Sequence, residues 1–174
     1  MDTARETRGG SAPPTLAAVC GLFCEACSIY IASHEDPERL SLLSARFGQS
    51  EGETYCEGCR AQKRTAFRAS CVMFACAAER DLDFCGQCPD YPCEDWKAFG
   101  RARPHRADIG KDLARIAEIG VEAWMAEARE RYACPTCGTI NSAYDLVCRT
   151  CGHEPGNAYA VDHRDLILPF LPES

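Results

Sequence analysis

The chain has 174 residues, a formal net charge of −7 and 14 cysteines. With the cysteines set aside, its apolar share falls from 46% to about 38%, thin for a self-sufficient core, so disulfides or metal must help hold it. The length excludes a barrel enzyme of about 250 residues, and no run of about 18 apolar residues offers a membrane span. The acidic balance also disfavours a non-specific nucleic-acid binder.

Residues 1–17, rich in Gly, Pro, Ser and Thr, read as a disordered leader without the apolar stretch of a secretory signal. A cytoplasmic setting follows as an expectation, and there reduced thiols favour metal binding or redox work over disulfides. A cysteine-rich metal-binding domain is expected over 18–104. Within it, residues 28–48 predict two short helices broken near Asp36–Pro37. Asp36 serves as N-cap, Leu40, Leu43 and Phe47 recur at helical spacing, and Gly48 is the stop. Residues 61–80 predict a helix carrying Cys71 and Cys76, and a short helix after Cys93 bears Trp96 and Phe99.

Pro104 interrupts. Residues 105–131 then predict one connecting helix, with an apolar stripe from Ile109 to Met125 that Gly110 and Gly120 weaken. Residues 132–153 predict a small β zinc ribbon, with Ile140, Tyr144, Leu146 and Val147 in short antiparallel strands. The tail, 154–174, carries Val161, Leu166, Ile167, Leu168, Phe170 and Leu171 and is expected to pack on the domain. The fold class is therefore a small, metal-stabilised, mainly α domain with cysteine knuckles, followed by the ribbon.

Five C-x2-C pairs occur: Cys24/Cys27, Cys56/Cys59, Cys85/Cys88, Cys134/Cys137 and Cys148/Cys151. Two cysteines separated by two residues fit a tight turn whose sulfurs converge on one tetrahedral ion about 2.3 Å away. The last two pairs are each followed by a glycine, Gly138 and Gly152, and together predict a four-thiolate zinc site. The first block holds the other ten cysteines. Spacing favours two ions there, built mainly from its three pairs, with Cys20, Cys71, Cys76 and Cys93 as further ligands. His34 and His105 would be needed only for a third. Cys71 and Cys76, five apart and about 140° round a helix, point to different ions. The cofactor expectation is two to three zinc ions.

The segments CGLFCEACSIY, CEGC and CVMFACAAERDLDFCGQCPDYPCEDWKAF follow in that order over about residues 18–100. They resemble the cysteine-rich domain of unknown function 3795 family, some members of which also carry a ribbon much like CPTCGTINSAYDLVCRTCG. The resemblance implies bound metal, zinc, in a bacterial or archaeal cytoplasm. It implies no activity. Arg68 stands where some members carry a further cysteine.

An iron–sulfur cluster in the first block, for electron transfer or redox sensing, is the alternative, since thiolate-rich sites also suit iron. Cys20, Cys24 and Cys27 have the spacing of a radical S-adenosylmethionine motif, but too little chain remains for its barrel. No H-E-x-x-H, P-loop or G-x-G-x-x-G occurs, and no zinc-deaminase pairing. A redox C-x2-C is disfavoured because acids such as Glu57 raise a thiol pKa. No catalytic residue emerges, so the expectation is a zinc-binding interaction or regulatory module with a protein partner. Two basic runs, Arg60–Lys63–Arg64–Arg68 and Arg101–Arg103–His105–Arg106, leave a nucleic-acid role open but not favoured. Tyr91, Trp96 and Phe99, with Arg101, Arg103 and Arg106 beyond, read either as core against the 105–131 helix or as a partner groove.

Overall fold

The computed structural model describes residues 14–62 and 65–171. Ten α-helices follow one another: α1 Ser28–Glu35, α2 Pro37–Phe47, α3 Glu51–Thr54, α4 Ala66–Ala69, α5 Val72–Glu79, α6 Glu94–Arg101, α7 Ile109–Ile119, α8 Val121–Tyr132, α9 Ala158–Asp162 and α10 Arg164–Ile167. The chain is thus mainly helical, and among the described residues no sheet forms. Nor is any helix among them long and apolar enough to cross a membrane.

The break between α1 and α2 follows the local chemistry. Asp36 accepts a hydrogen bond from the Arg39 backbone N–H at 3.0 Å, Pro37 opens the first turn, and Gly48 closes α2 in the left-handed conformation. Two other helices expected as single pieces are divided. In place of one helix over 61–80 stand α4 and α5. The Ser70 hydroxyl bonds back to the Ala66 and Phe67 carbonyls, and Cys71 is extended as the N-cap of α5. Residues 63–64 of that stretch lie outside the described residues, as do Lys63 and Arg64 of the first basic run.

The connecting helix expected over 105–131 is a helical hairpin. Pro104–Arg106 forms a 3-10 turn, and Gly120, at φ +83, separates α7 from α8. Both helices still turn their apolar stripes to one core, which is why the hydrophobic period runs on across the break. That core joins Phe23, Leu113, Ile116, Trp124, Met125 and Tyr132 to Tyr159 and Ile167 of the tail. Its aromatic centre stacks Tyr132 on Phe23 at 6.1 Å and on Tyr159 at 5.0 Å. The expected leader falls mostly on 1–13, outside the described residues. Its last two residues are packed instead: Ala17 is fully buried and Leu16 lies against the core.

A polar network pins the hairpin. Trp124 Nε1 donates to Asp112 Oδ1 at 3.0 Å and Arg131 donates to the same oxygen at 2.8 Å. Asp108 meets Lys111 and His163, each at 2.8 Å. Burial raises the Asp112 pKa despite Arg131 and Trp124, which pull it down.

A second apolar cluster gathers Ala18, Val19, Cys20, Cys24, Met73 and Ala77, with Cys59, Cys71, Cys85, Trp96 and Phe99 against it. Trp96 Nε1 donates to the Cys20 carbonyl at 3.2 Å, and Tyr91 packs edge-on against Trp96 at 4.8 Å. These aromatics therefore belong to the core, the first of the two expected readings.

Candidate metal centre

Two turns of the same build face each other near the C-terminus. In each, the first cysteine donates its backbone N–H five residues on, Cys134 to Thr139 and Cys148 to His153, both at 2.8 Å. Its carbonyl then accepts from the glycine after the second cysteine, Gly138 at 2.9 Å and Gly152 at 3.0 Å. Both glycines are left-handed, at φ +74 and +72, a conformation that costs an L side chain about 1–2 kcal/mol.

The pairing brings four sulfurs together. Ligand atoms of Cys134, Cys137, Cys148 and Cys151 lie within 4.8 Å of one another. Cys134 Sγ is 3.6 Å from Cys151 Sγ, and Cys137 Sγ is 3.6 Å from Cys148 Sγ. A tetrahedron of sulfurs about 2.3 Å from a central ion has edges of about 3.8 Å, so both distances fit one four-thiolate ion. Cys134 and Cys148 are buried, while Cys137 and Cys151 are exposed.

The protein prepares these thiols to lose protons. Against the effect of burial, the backbone N–H groups of Cys151 and Thr150, the Asn141 side chain and Cys137 draw Cys148 down to about 6. Thr139 lowers Cys137. Asn141 is the residue that sequence reasoning missed. It is fully buried, donates to the Gly156 carbonyl at 2.8 Å and the Thr139 carbonyl at 3.1 Å, and accepts from the Arg149 backbone N–H at 3.1 Å. One side chain thereby ties the first turn, the second turn and the tail. Its position midway between the two pairs was the only signal available.

No strands accompany these turns. The expected β ribbon is replaced by two knuckles, with only an isolated antiparallel bridge between Ala133 and Ile140. The reason is local. Ser142 and Asp145 close a turn, the Ser142 N–H donating to Asp145 Oδ2 at 2.8 Å and the Asp145 N–H to the Ser142 carbonyl at 3.0 Å, which interrupts any ladder. Tyr144 turns away to His105, 2.6 Å from its Nδ1. The site is joined to the helical block by Arg39, which grips Asp145 through two bonds of 3.0 and 3.2 Å, and by Arg149 on Glu35.

The first-block cysteines are arranged differently. Cys24/Cys27 and Cys85/Cys88 each wrap a 3-10 turn, and Cys56/Cys59 lie in the loop after α3. Cys71 and Cys93 are the N-caps of α5 and α6, and Cys76 lies within α5. Cys20 and Cys24 are buried, and Cys93 is exposed. Among the described residues, the C-terminal four alone bring three or more Cys, His, Asp or Glu ligand atoms within 4.8 Å. The histidines are engaged elsewhere: His34 Nε2 lies 3.0 Å from the Cys56 carbonyl, and His105 is held by Tyr144. Burial pushes Cys56 up to about 11 and Cys85 up to about 12, with neighbouring thiols adding to both. Such thiols are protonated at neutral pH and poor nucleophiles.

The second basic run borders an open cleft of about 450 Å³. Trp96, Ile109, Leu166 and Phe170 form its apolar lining, and Lys97, Arg101, Arg103 and Arg106 supply cations with no carboxylate among the lining residues. Arg106 lies over Phe99 at 3.7 Å, and Arg103 over Phe170 at 5.4 Å. In the first run, Arg60 is no solvated surface cation. It clamps the Ala17 and Asp83 carbonyls.

Residues 16–98 match a family described as protein of unknown function (DUF3795). No curated protein and no solved structure matches the chain.

Proposed function

We propose that this is a zinc protein whose C-terminal four-thiolate centre is structural, and that it acts as an interaction or regulatory module. The observation that carries the reading is the convergence of Cys134, Cys137, Cys148 and Cys151 within 4.8 Å. Four protein sulfurs fill a tetrahedron and leave no position for water or substrate, the ligand set of a structural zinc rather than a catalytic one. Zinc would lock together the two knuckles that Asn141, Arg39 and Arg149 connect to the tail and to the helices. The cation-lined cleft is the surface best suited to a partner, and its charge favours an acidic protein segment with an apolar side chain for the Trp96–Phe170 floor.

Metal and acid-labile sulfide analysis of protein purified without oxygen tests the reading. Zinc without sulfide is the expected result. Iron with sulfide and a brown colour would instead make it an iron–sulfur protein and overturn the proposal.

A further inference from the structure

We propose that the ten first-block cysteines bind three divalent ions as one linear thiolate cluster. Cys24, Cys27, Cys56 and Cys59 hold the first ion; Cys20, Cys59, Cys71 and Cys85 the second; and Cys76, Cys85, Cys88 and Cys93 the third. Cys59 and Cys85 are the bridging thiolates. The inference extends the zinc reading above to a site separate from the C-terminal centre.

Geometry supplies the frame. The Cys24 and Cys85 turns are near copies: each second cysteine donates its backbone N–H to the first cysteine's carbonyl at 3.0 Å, and Cys27 and Cys88 share φ −75 with ψ 130 and 134. In the third pair, the Gly58 N–H donates to Cys56 Sγ at 3.4 Å, as knuckle amides do to a metal thiolate. The segment before Cys20 is the spine on which two of these turns are hung. The Cys85 N–H donates to the Val19 carbonyl at 2.7 Å, and Arg60, next to Cys59, donates Nε to the Ala17 carbonyl at 2.6 Å. Cys59 and Cys85 are thereby placed beside Cys20, and with Cys24 and Cys71 they pack in the second apolar cluster.

The thiols that act on one another follow the same order. Burial and then Cys59, Cys27 and Cys56 raise Cys24. Burial and then Cys59, Cys71 and Cys85 raise Cys20. Burial and then Cys93, Cys76, Cys71 and Cys88 raise Cys85. Cys59 therefore neighbours the first and second groups, and Cys85 the second and third. Coordination arithmetic agrees: three tetrahedral ions need twelve sulfur positions, which ten thiols supply only if two are shared. Two isolated ions would strand two thiols.

A buried cation completes the argument. Arg68 Nε and Nη1 are buried without hydrogen-bond partners, and the guanidinium lies over Phe74 at 4.1 Å. It acts to lower Cys59. Unpaired guanidinium donors are costly in the interior, and a thiolate cluster of net negative charge beside them offsets that cost. At the other end, Arg80 Nη1 donates to Cys88 Sγ at 3.2 Å. No three of these sulfurs lie within 4.8 Å of one another, so loading draws the turns inward and expels the thiol protons.

The test is the full chain loaded with the spin-half cadmium isotope and read by cadmium NMR, with zinc counted by native mass spectrometry. Four resonances are expected, three of them split by cadmium–sulfur–cadmium coupling, with one unsplit resonance that disappears in Cys148→Ser. Four zincs per chain should be counted. Cys59→Ser should abolish the coupling between the first and second ions; if that variant does not fold, the wild-type splitting decides alone. Three unsplit resonances would overturn the bridged cluster, and a single resonance would show that the first block binds no ion. Neither result touches the C-terminal centre, whose failure would appear separately as the absence of any resonance sensitive to Cys148→Ser.

Discussion

Asn141→Ala attacks the one side chain that links both C-terminal knuckles to the tail. The Thr139 carbonyl keeps its bond from the Cys134 N–H, but the Gly156 carbonyl and the Arg149 N–H lose their Asn141 partner inside a fully buried site. Each buried group left unsatisfied costs about 1–3 kcal/mol, so the substitution should cost about 4 kcal/mol in all. The Asn141 side chain also helps hold Cys148 down, so metal affinity should fall most steeply at mildly acidic pH. Urea unfolding of the metal-loaded protein measures the first effect, and chelator competition between pH 6 and 8 the second. Asn141→Asp keeps the acceptor for Arg149 but loses both donors and adds charge beside the thiolates, so it should weaken metal binding at least as much. A loss below about 1 kcal/mol for Asn141→Ala, with unchanged affinity, would refute the reasoning.

Other consequences are equally measurable. Trp124→Phe removes a buried donor to Asp112 and should lower unfolding stability by about 2 kcal/mol, read by urea titration. Burial, then Arg106 and Arg103, depress His105 to about 3. With its unfolded value near 6.5, the neutral form stabilises the fold fully above that pH, and the contribution is lost as pH falls towards 3, by up to about 1.4 kcal/mol per pH unit. His105→Gln should flatten that part of the stability–pH profile, and an unchanged slope would count against a buried neutral imidazole. Gly120→Ala places a Cβ at φ +83 with open space around it, so any loss, expected at about 1 kcal/mol in thermal unfolding, is backbone strain alone.

What the sequence made legible was local chemistry. Asp36, Pro37 and Gly48 announce the ends of α2, because caps act through one or two neighbouring residues. The C-terminal ligand set was equally plain, since the spacing of Cys134, Cys137, Cys148 and Cys151 encodes a turn. Three features were not. Hydrophobic periodicity ran straight through Gly120, because α7 and α8 face one core and periodicity registers the face, not the break. Cys71 looked helical by position, yet it caps α5 once Ser70 turns its hydroxyl back on α4. Ile140, Tyr144, Leu146 and Val147 have strand propensity, but the backbone between the knuckles is committed to the Ser142–Asp145 turn and to Asn141. In the first block, spacing alone could not divide ten cysteines. Only the packing of Cys59 and Cys85 beside Cys20 suggests how they are shared.

The central claim, a four-thiolate zinc in the C-terminal knuckles, meets its most direct test in native mass spectrometry of the intact chain beside Cys148→Ser. The expected result is one zinc fewer in the variant, with the first block's ions retained. An unchanged zinc count in Cys148→Ser, or no zinc in the wild-type protein, would contradict it.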